Sequence, residues 1–130
     1  MTVIINASPT NGLVQTADGS GVLKVQSNGV TTNALAWVNY NASSQTIQAS
    51  YNVSSVTYNS TGNYTVNFST AMSNANYVVL GSCDSPGSAT SGINTDGQTT
   101  TTVAVKFGYW YASAWYQTNR INTSIAVFGN

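Results

Sequence analysis

Apolar and polar residues alternate with a period of two in almost every apolar segment of this 130-residue chain. In the segment YTVNF, for example, Tyr64, Val66 and Phe68 alternate with a threonine and an asparagine. This period places one set of side chains on one face of a strand, and no segment has the 3.6-residue repeat of a long amphipathic helix. The pattern therefore predicts an all-β domain.

The alternating segments predict seven or eight short strands, separated by turns rich in glycine, asparagine and serine. The expected strands are Val3–Ile5, Gly21–Val25, Ala34–Tyr40, Ile47–Tyr58, Tyr64–Phe68, Asn76–Cys83, Thr99–Phe107 and Ile121–Phe128. The link Asn59–Asn63 has five residues and one glycine, which is typical of a hairpin loop. Because Cys83–Gln98 is rich in glycine and serine, we expect a long loop there.

Each strand should bury one set of alternate side chains. The expected buried sets are Ile47, Ala49, Tyr51 and Val53; Val103, Val105 and Phe107; and Ile121, Thr123, Ile125 and Val127. Cys83 is the single cysteine, so it cannot form a disulfide within the chain and is expected to be a small buried residue. The strands together predict an antiparallel β-sandwich or small barrel over residues 34–130, preceded by an arm or stem formed by residues 1–33.

Charged side chains are rare, and this restricts the partners that the chain can bind. There are three acidic and three basic residues, so the net charge is zero. Asn, Ser and Thr supply 51 of the 130 residues, so amides and hydroxyls must cover most of the surface. Three dispersed cations cannot neutralise a row of phosphates, which argues against nucleic acid and an anionic membrane. No segment resembles a signal peptide or a membrane span.

The same composition argues against catalysis. The chain has no histidine and no glutamate, so it cannot form a serine–histidine or cysteine–histidine pair. The aspartates Asp18, Asp84 and Asp96 lie in turn-forming sequences. A zinc site lacks ligands, and only a calcium site built from loop carbonyls and aspartate stays open. We therefore expect a protein that is not an enzyme and that needs no cofactor or metal.

The segment FGYWYASAWY at Phe107–Tyr116 holds six of the fourteen aromatic residues. Tryptophan and tyrosine rings can stack on the C–H faces of sugars or pack against another protein. Phe107 continues a buried face and is expected in the core. In a strand, Tyr109 and Tyr111 point to one side and Trp110 to the other. The candidate receptor-binding residues are Tyr109, Trp110, Tyr111, Trp115 and Tyr116. For Trp110 and Trp115, the core, a subunit interface and a ligand surface all remain open.

Three segments of the chain resemble the C-terminal receptor-binding domain of bacteriophage tail fibre and tail tip proteins, of the marine and cyanobacterial phage type. They are ALAWVNYNA at Ala34–Ala42, QASYNVSSVTYNSTGNYTVNFSTAMSNANYVV at Gln48–Val79 and NTSIAVFG at Asn122–Gly129. Their order and spacing are similar to those of the family over most of the chain. The sequence of residues 16–33 also resembles the segment that leads into these domains.

This resemblance implies a β-rich, intertwined homotrimer of the virion whose variable region contacts the host surface. The residues that it implies as framework are Trp37, Tyr40, Tyr51, Val53, Tyr64, Val66, Phe68, Met72 and Tyr77. The variable region corresponds to about Gly81–Asn119, which contains both the long loop and the aromatic run. Some members of the family hold metals with histidines, which this chain lacks, so the resemblance implies no metal.

Composition and resemblance together predict a non-catalytic tail fibre domain of the virion, assembled in the cytoplasm of the bacterial host. As a homotrimer it would bind a host surface glycan, with weak contacts strengthened by multivalency, and it would contact other proteins of the baseplate, fibre or capsid. The alternative is a structural virion protein, such as a capsid decoration, head-fibre or baseplate-attached protein. A third possibility is a glycan-degrading tail enzyme, which the lack of glutamate disfavours.

Overall fold

The computed structural model describes residues 26–27, 30–85, 87 and 89–129. These residues form an all-β fold whose strands are β1 (Gln26–Ser27), β2 (Val30–Thr31), β3 (Ala36–Asn41), β4 (Thr46–Tyr51), β5 (Val53–Ser60), β6 (Asn63–Phe68), β7 (Tyr77–Cys83), β8 (Thr90–Gln98), β9 (Thr102–Tyr111), β10 (Ala114–Gln117) and β11 (Thr123–Gly129). None of the described residues belongs to a helix with the length and hydropathy of a membrane span. The predicted strands Val3–Ile5 and Gly21–Val25, and most of the predicted arm, lie outside the described residues.

Two antiparallel sheets pack against each other, as predicted for a sandwich. The four-stranded sheet has the order β4–β3–β11–β7. The five-stranded sheet is built on the long strand β9, which pairs with β8 along one edge. The other edge of β9 is shared between β6, which pairs with residues 102–106, and β10, which pairs with residues 108–111. Strand β5 extends this sheet beyond β6, and β1 and β2 form a separate short ladder.

The change of partner along β9 occurs at Phe107. Its N–H donates to the carbonyl of Gly62 at 2.7 Å, at the start of β6, and its carbonyl accepts from the N–H of Thr118 at 3.2 Å, at the end of β10. The ring of Phe107 is buried between the sheets. Strand β9 therefore continues past the core, and its last residues carry the aromatic segment.

Alternate residues of the facing strands form the core. They are Ala36, Val38 and Tyr40 of β3, Tyr64, Val66 and Phe68 of β6, Val103, Val105 and Phe107 of β9, and Thr123, Ile125 and Val127 of β11. Tyr77 and Cys83 of β7 and Met72 are buried with them. The predicted burial of the β9 set and of Cys83 is confirmed. Of the residues that the resemblance implies as framework, Trp37 and Tyr51 lie outside this core, and Val53 is partly buried against it.

The predicted long loop at Cys83–Gln98 is wrong over most of its length. Residues Thr90–Gln98 form strand β8, which pairs with β9 from Thr90 opposite Trp110 to Gln98 opposite Val103. Glycine and asparagine have low strand propensity, but an edge strand is held by its backbone ladder, so the neighbour overrides the local preference. Among the described residues between β7 and β8, Asp84, Ser85, Gly87 and Ala89 lie outside any strand.

Two predicted buried sets also need correction. The ladder between β3 and β4 shifts between Asn39 and Tyr40, so Ile47 faces the core, whereas Ala49 and Tyr51 pair with outward residues of β3. The chain then leaves this sheet at Asn52, whose positive φ of 53° suits asparagine, so Val53 belongs to the other sheet. In the last set Ile121 is wrong, because it precedes β11 and is 56% exposed.

Candidate functional site

The aromatic segment forms a hairpin that projects beyond Phe107. We call Gly108–Gln117 the aromatic hairpin. It pairs Tyr111 with Ala114 and Trp110 with Trp115 through a two-residue turn at Ala112 and Ser113. Both turn residues have positive φ, 47° and 68°, which is the backbone that a two-residue hairpin with right-handed strand twist requires.

The hairpin separates the five predicted receptor-binding residues onto two faces. Trp110 and Trp115 are cross-strand partners and share one face. Tyr109 and Tyr116 are partners on the other face, where alternation also places Tyr111. The predicted separation of Tyr109 and Tyr111 from Trp110 is therefore confirmed. All five residues lie in one hairpin, but a single ligand surface can use only one of its faces.

The tryptophan face is a ledge built on glycine. The rings of Trp110 and Trp115 meet edge to face, with centroids 6.0 Å apart and planes at 61°. The ring of Trp115 covers Gly108, where an added Cβ would lie 2.6 Å from two of its atoms. Beside Gly108 on β8, Gly92 has open space at the position of a Cβ. Trp110 is 54% exposed, so the ledge presents an open aromatic surface.

The tyrosine face carries a stacked pair and a cation. The rings of Tyr109 and Tyr116 lie nearly parallel, with centroids 5.5 Å apart and planes at 21°. The guanidinium carbon of Arg120 lies 5.0 Å from the centroid of Tyr109, within the range of a cation–π contact. Tyr111 and Tyr116 are 64% and 46% exposed. This face combines aromatic rings with a positive charge, which the tryptophan face lacks.

A second candidate surface covers the outside of the four-stranded sheet. The register aligns one outward row across all four strands: Tyr51, Trp37, Ala126 and Leu80. Val78 and Phe128 pair in the next row. We call these six residues the apolar sheet face. Trp37 and Leu80 flank a groove of about 430 Å³ whose floor includes Ser124 and Ala126. In the same groove, the side-chain oxygen of Asn39 is shielded and accepts no hydrogen bond from a described residue.

The outside of the five-stranded sheet is polar instead. Asn67 donates from its side chain to the hydroxyls of Ser55 and Thr57, at 3.1 and 3.0 Å. Asn59 donates to the hydroxyl of Thr65 at 2.9 Å. The ion pair between Lys106 and Asp96, 2.6 Å long, lies on strands β9 and β8 of this sheet. Side chains on this face therefore satisfy one another.

Three buried tyrosine side chains have a raised pKa. Burial raises the pKa of Tyr64, Tyr40 and Tyr77 above the usual tyrosine value. For Tyr64, the neighbouring Tyr40 and Tyr58 add to the increase. The hydroxyl of Tyr64 contacts the carbonyl of Ala42 at 3.1 Å and the side-chain oxygen of Asn119 at 2.5 Å. All three are neutral at physiological pH. The hydroxyl of Tyr77 donates to the carbonyls of Thr99 and Thr102, whereas the buried hydroxyl of Tyr40 has no partner among the described residues.

The described acidic residues are not gathered into a site. Asp96 pairs with Lys106, and a carboxylate oxygen of Asp84 accepts the N–H of Asn122 at 3.3 Å. Among the described residues there is no group of three or more histidine, cysteine, aspartate or glutamate side chains that could hold a metal.

Sequence reasoning missed three features of these surfaces. Arg120 was not singled out, although it is the only arginine of the chain. The pairing of Gly92 with Gly108 under the tryptophans depends on the unrecognised strand β8. The apolar sheet face depends on a register across four strands, which no local pattern reveals. The spacing of Gly108 and Trp110 by two residues was the one available signal, since it places both on the same face.

No family model matches the chain. No curated protein matches it, and no solved structure does.

Proposed function

We propose that this chain is a non-catalytic bacteriophage virion protein, a tail fibre domain that binds a host surface glycan through the aromatic hairpin. The observation that carries the proposal is the tryptophan ledge, in which an exposed Trp110 stands beside Trp115 over a glycine floor. A flat aromatic surface of this kind suits the C–H face of a pyranose ring. The resemblance of three segments to tail fibre tip domains supplies the biological setting.

The position of the tryptophan ledge depends on specific residues of the hairpin. Trp115 occupies the space above Gly108, so the glycine is needed for the ring to lie there. The hairpin projects beyond the core, so its rings are not required to fill the space between the sheets. On the neighbouring strand β8, Thr90 pairs with Trp110 and Asn94 with Lys106, so one hydroxyl and one amide lie on the same face for contact with sugar hydroxyls.

The proposal includes a homotrimer, with the apolar sheet face in contact with a second copy of the chain. Trp37 and Leu80, on this face, are 39% and 57% exposed. The described charged residues Asp84, Asp96, Lys106 and Arg120 are absent from it, so two copies can approach without desolvating a charge. Four strands at their usual spacing and length give a face of roughly 20 Å by 20 Å.

This area is small for the whole interface. A stable pair of proteins buries about 800 Å² per partner, and the flat extent of the apolar sheet face is about half of that. Contact through this face alone would therefore be weak, and a threefold assembly would have to bury further surface beside it. Low affinity per subunit and multivalent attachment are consistent with each other.

The test is binding of the purified protein to host cells and to their extracted surface glycan. Trp110→Ala and Trp115→Ala are compared with Tyr58→Ala, which removes a partly exposed ring of strand β5 that packs against Tyr64, away from the hairpin. We expect both tryptophan variants to lose about tenfold or more in affinity, because stacked aromatic anchors contribute about 1.5 kcal/mol or more. Tyr58→Ala should bind as the parent does. Equal binding by all three variants, with intact assembly, would refute the glycan-binding role.

A structural virion protein is the second candidate, and the apolar sheet face favours it. In that case a neighbouring virion protein would cover Trp37 and Leu80, and the tryptophans of the hairpin would pack against subunits of the particle. The location of the protein in the virion distinguishes the receptor-binding role from the structural role. Labelling at the tail tip supports attachment to the host, and labelling on the capsid surface supports decoration.

A further inference from the structure

Arg120 is held in place by the segment that connects β10 to β11. The side-chain oxygen of Asn119 accepts the N–H of Gly62 at 2.8 Å and contacts the hydroxyl of Tyr64 at 2.5 Å. The carbonyl of Arg120 itself accepts the N–H of Ala42 at 2.7 Å. Because hydrogen bonds secure both Arg120 and the preceding residue, the direction in which its side chain leaves the backbone is restricted.

The guanidinium of Arg120 is held in place and forms no ion pair with a described carboxylate. It lies over the ring of Tyr109, 5.0 Å from the centroid. Its Nε is shielded from solvent and donates to no acceptor among the described residues. The other described cation behaves differently, since Lys106 forms a 2.6 Å ion pair with Asp96. A partly buried arginine with no carboxylate partner in the described part of the chain is therefore available to an anion.

The rings beside Arg120 restrict what that anion can be. Tyr116 stacks on Tyr109 and is 46% exposed, so an aromatic surface extends outward from the guanidinium. A planar guanidinium binds a carboxylate through two parallel hydrogen bonds. A sugar ring that carries a carboxylate satisfies both parts, because its C–H face can stack on tyrosine while its carboxylate meets Arg120. Free phosphate would use the cation alone.

We infer that the tyrosine face, formed by Tyr109, Tyr116 and Arg120, is a subsite for a sugar carboxylate, such as that of a uronic acid residue in the host glycan. The inference deepens the proposed glycan-binding function and rests on it. The subsite lies on the opposite face of the aromatic hairpin from Trp110 and Trp115. The hairpin would therefore carry two separate subsites, a neutral ledge on one face and a single positive charge on the other.

The test uses the side-chain Nε–H resonance of Arg120, which is unique because the chain has one arginine. The assembled, ¹⁵N-labelled protein is titrated with tri-galacturonic acid, with a neutral galactose trisaccharide and with inorganic phosphate. We expect a saturable shift of the Nε–H cross-peak with the acidic trisaccharide only. An equal shift with the neutral sugar, or no shift with the acidic one, overturns the subsite. An equal shift with phosphate reduces it to a general anion site and overturns the sugar specificity.

Substitutions test whether binding of the acidic sugar depends on Arg120 itself rather than on the net charge of the protein. By calorimetry, Arg120→Gln should weaken binding of the acidic trisaccharide about tenfold or more, the value of one charge-assisted hydrogen-bonded contact. The affinity of Arg120→Lys should lie between those of the parent protein and Arg120→Gln, since lysine keeps the charge but lacks the planar guanidinium. Lys106→Gln is the matched control and should bind as the parent does; an equal loss there overturns the assignment to Arg120.

The outcomes also separate this inference from the function on which it rests. If host glycan perturbs the ring resonances of Trp110 and Trp115 while acidic sugar leaves Arg120 unmoved, the subsite is wrong and the proposed function stands. If host glycan perturbs neither face of the hairpin, both are wrong.

Discussion

The two sheets present opposite chemistry to the outside, although both are built from the same alternating pattern. On the five-stranded sheet, amides and hydroxyls such as those of Asn67 and Thr57 bond one another across strands. On the four-stranded sheet, Trp37, Ala126 and Leu80 align in one exposed row. A face whose polar groups are mutually satisfied suits water, whereas an exposed apolar row suits another protein. The difference favours a solvent-exposed role for the five-stranded sheet and contact with another protein for the four-stranded sheet.

The aromatic hairpin is distinct from both faces. It belongs to the polar sheet, but it extends beyond the region where the two sheets cover each other. Trp110, Tyr111 and Tyr116 are therefore exposed without being part of the apolar sheet face. In the proposed function, we assign assembly to the four-stranded sheet and ligand contact to the hairpin at the end of the five-stranded sheet.

The largest expected effect comes from placing a charge on the apolar sheet face. In Leu80→Asp the introduced carboxylate would be buried without a partner in the assembly, at a cost of about 3 kcal/mol. We expect self-association to weaken by about a hundredfold. Thr57→Asp, on the exposed edge strand of the polar sheet, is the control and should leave association unchanged. Sedimentation equilibrium measures both, and dissociation of the control as well would break the comparison.

Gly108, which Trp115 covers, and its cross-strand partner Gly92 should respond differently to an added methyl group. In Gly108→Ala the new Cβ would lie 2.5 Å from the carbonyl oxygen of Tyr116 and 2.6 Å from Trp115. We expect destabilisation by about 1–3 kcal/mol, as for other overpacked sites. In Gly92→Ala nothing lies within 4 Å of the new Cβ, so the change should stay within about 0.5 kcal/mol. Urea unfolding followed by fluorescence checks this, and equal stability of the two variants would argue against the ledge.

Alkaline pH should lower the free energy of unfolding, because it ionises the buried tyrosines. Burial raises the pKa of Tyr64, Tyr40 and Tyr77 in the folded state. Their contribution to stability is therefore complete below about pH 10, the pKa of an unfolded tyrosine. Above that pH it falls by about 1.4 kcal/mol per pH unit for each phenol that remains protonated only in the fold.

Denaturant unfolding between pH 8 and pH 11 measures this slope. Tyr64→Phe removes one of these buried phenols and should reduce the slope. A stability that does not change through pH 11 in the parent protein would contradict the account.

The smallest effect is expected on the polar face. Asn67→Ala removes the hydrogen bonds to the hydroxyls of Ser55 and Thr57. Because these groups are exposed to water, which replaces the lost bonds, we expect destabilisation of about 0.5–1 kcal/mol. Association should not change. If sedimentation showed a loss of assembly in this variant, the subunit contact would lie on the five-stranded sheet, contrary to the proposal.

Much of the fold follows from local sequence, because alternation reports directly on burial. The period of Val103, Val105 and Phe107 predicts their common face. The link at Asn59–Asn63 predicts the hairpin between β5 and β6, but its predicted length is wrong, because only Thr61 and Gly62 connect the two strands. The two-sheet packing is a consequence of having many strands, each with one apolar side.

What local sequence could not predict depends on neighbours in space. Strand β8 is held by pairing with β9 rather than by its own residues, so its glycines suggest a loop. The shift in register beside Tyr40 moves Ile47 to the core face and Ala49 to the outside. The separation of the hairpin residues into two faces was accessible from alternation, but the position of Arg120 over Tyr109 required the path of the connecting segment.

The most direct test of the division between assembly and binding uses the three tryptophans of the chain. In protein labelled with 5-fluorotryptophan, ¹⁹F resonances are assigned by single substitutions and recorded with a soluble paramagnetic agent, before and after addition of host glycan. The account predicts that Trp37 is protected in the assembled protein, that Trp110 is accessible, and that glycan shifts Trp110 and Trp115 but not Trp37. A Trp37 resonance as accessible as that of Trp110, or one that alone responds to glycan, would contradict it.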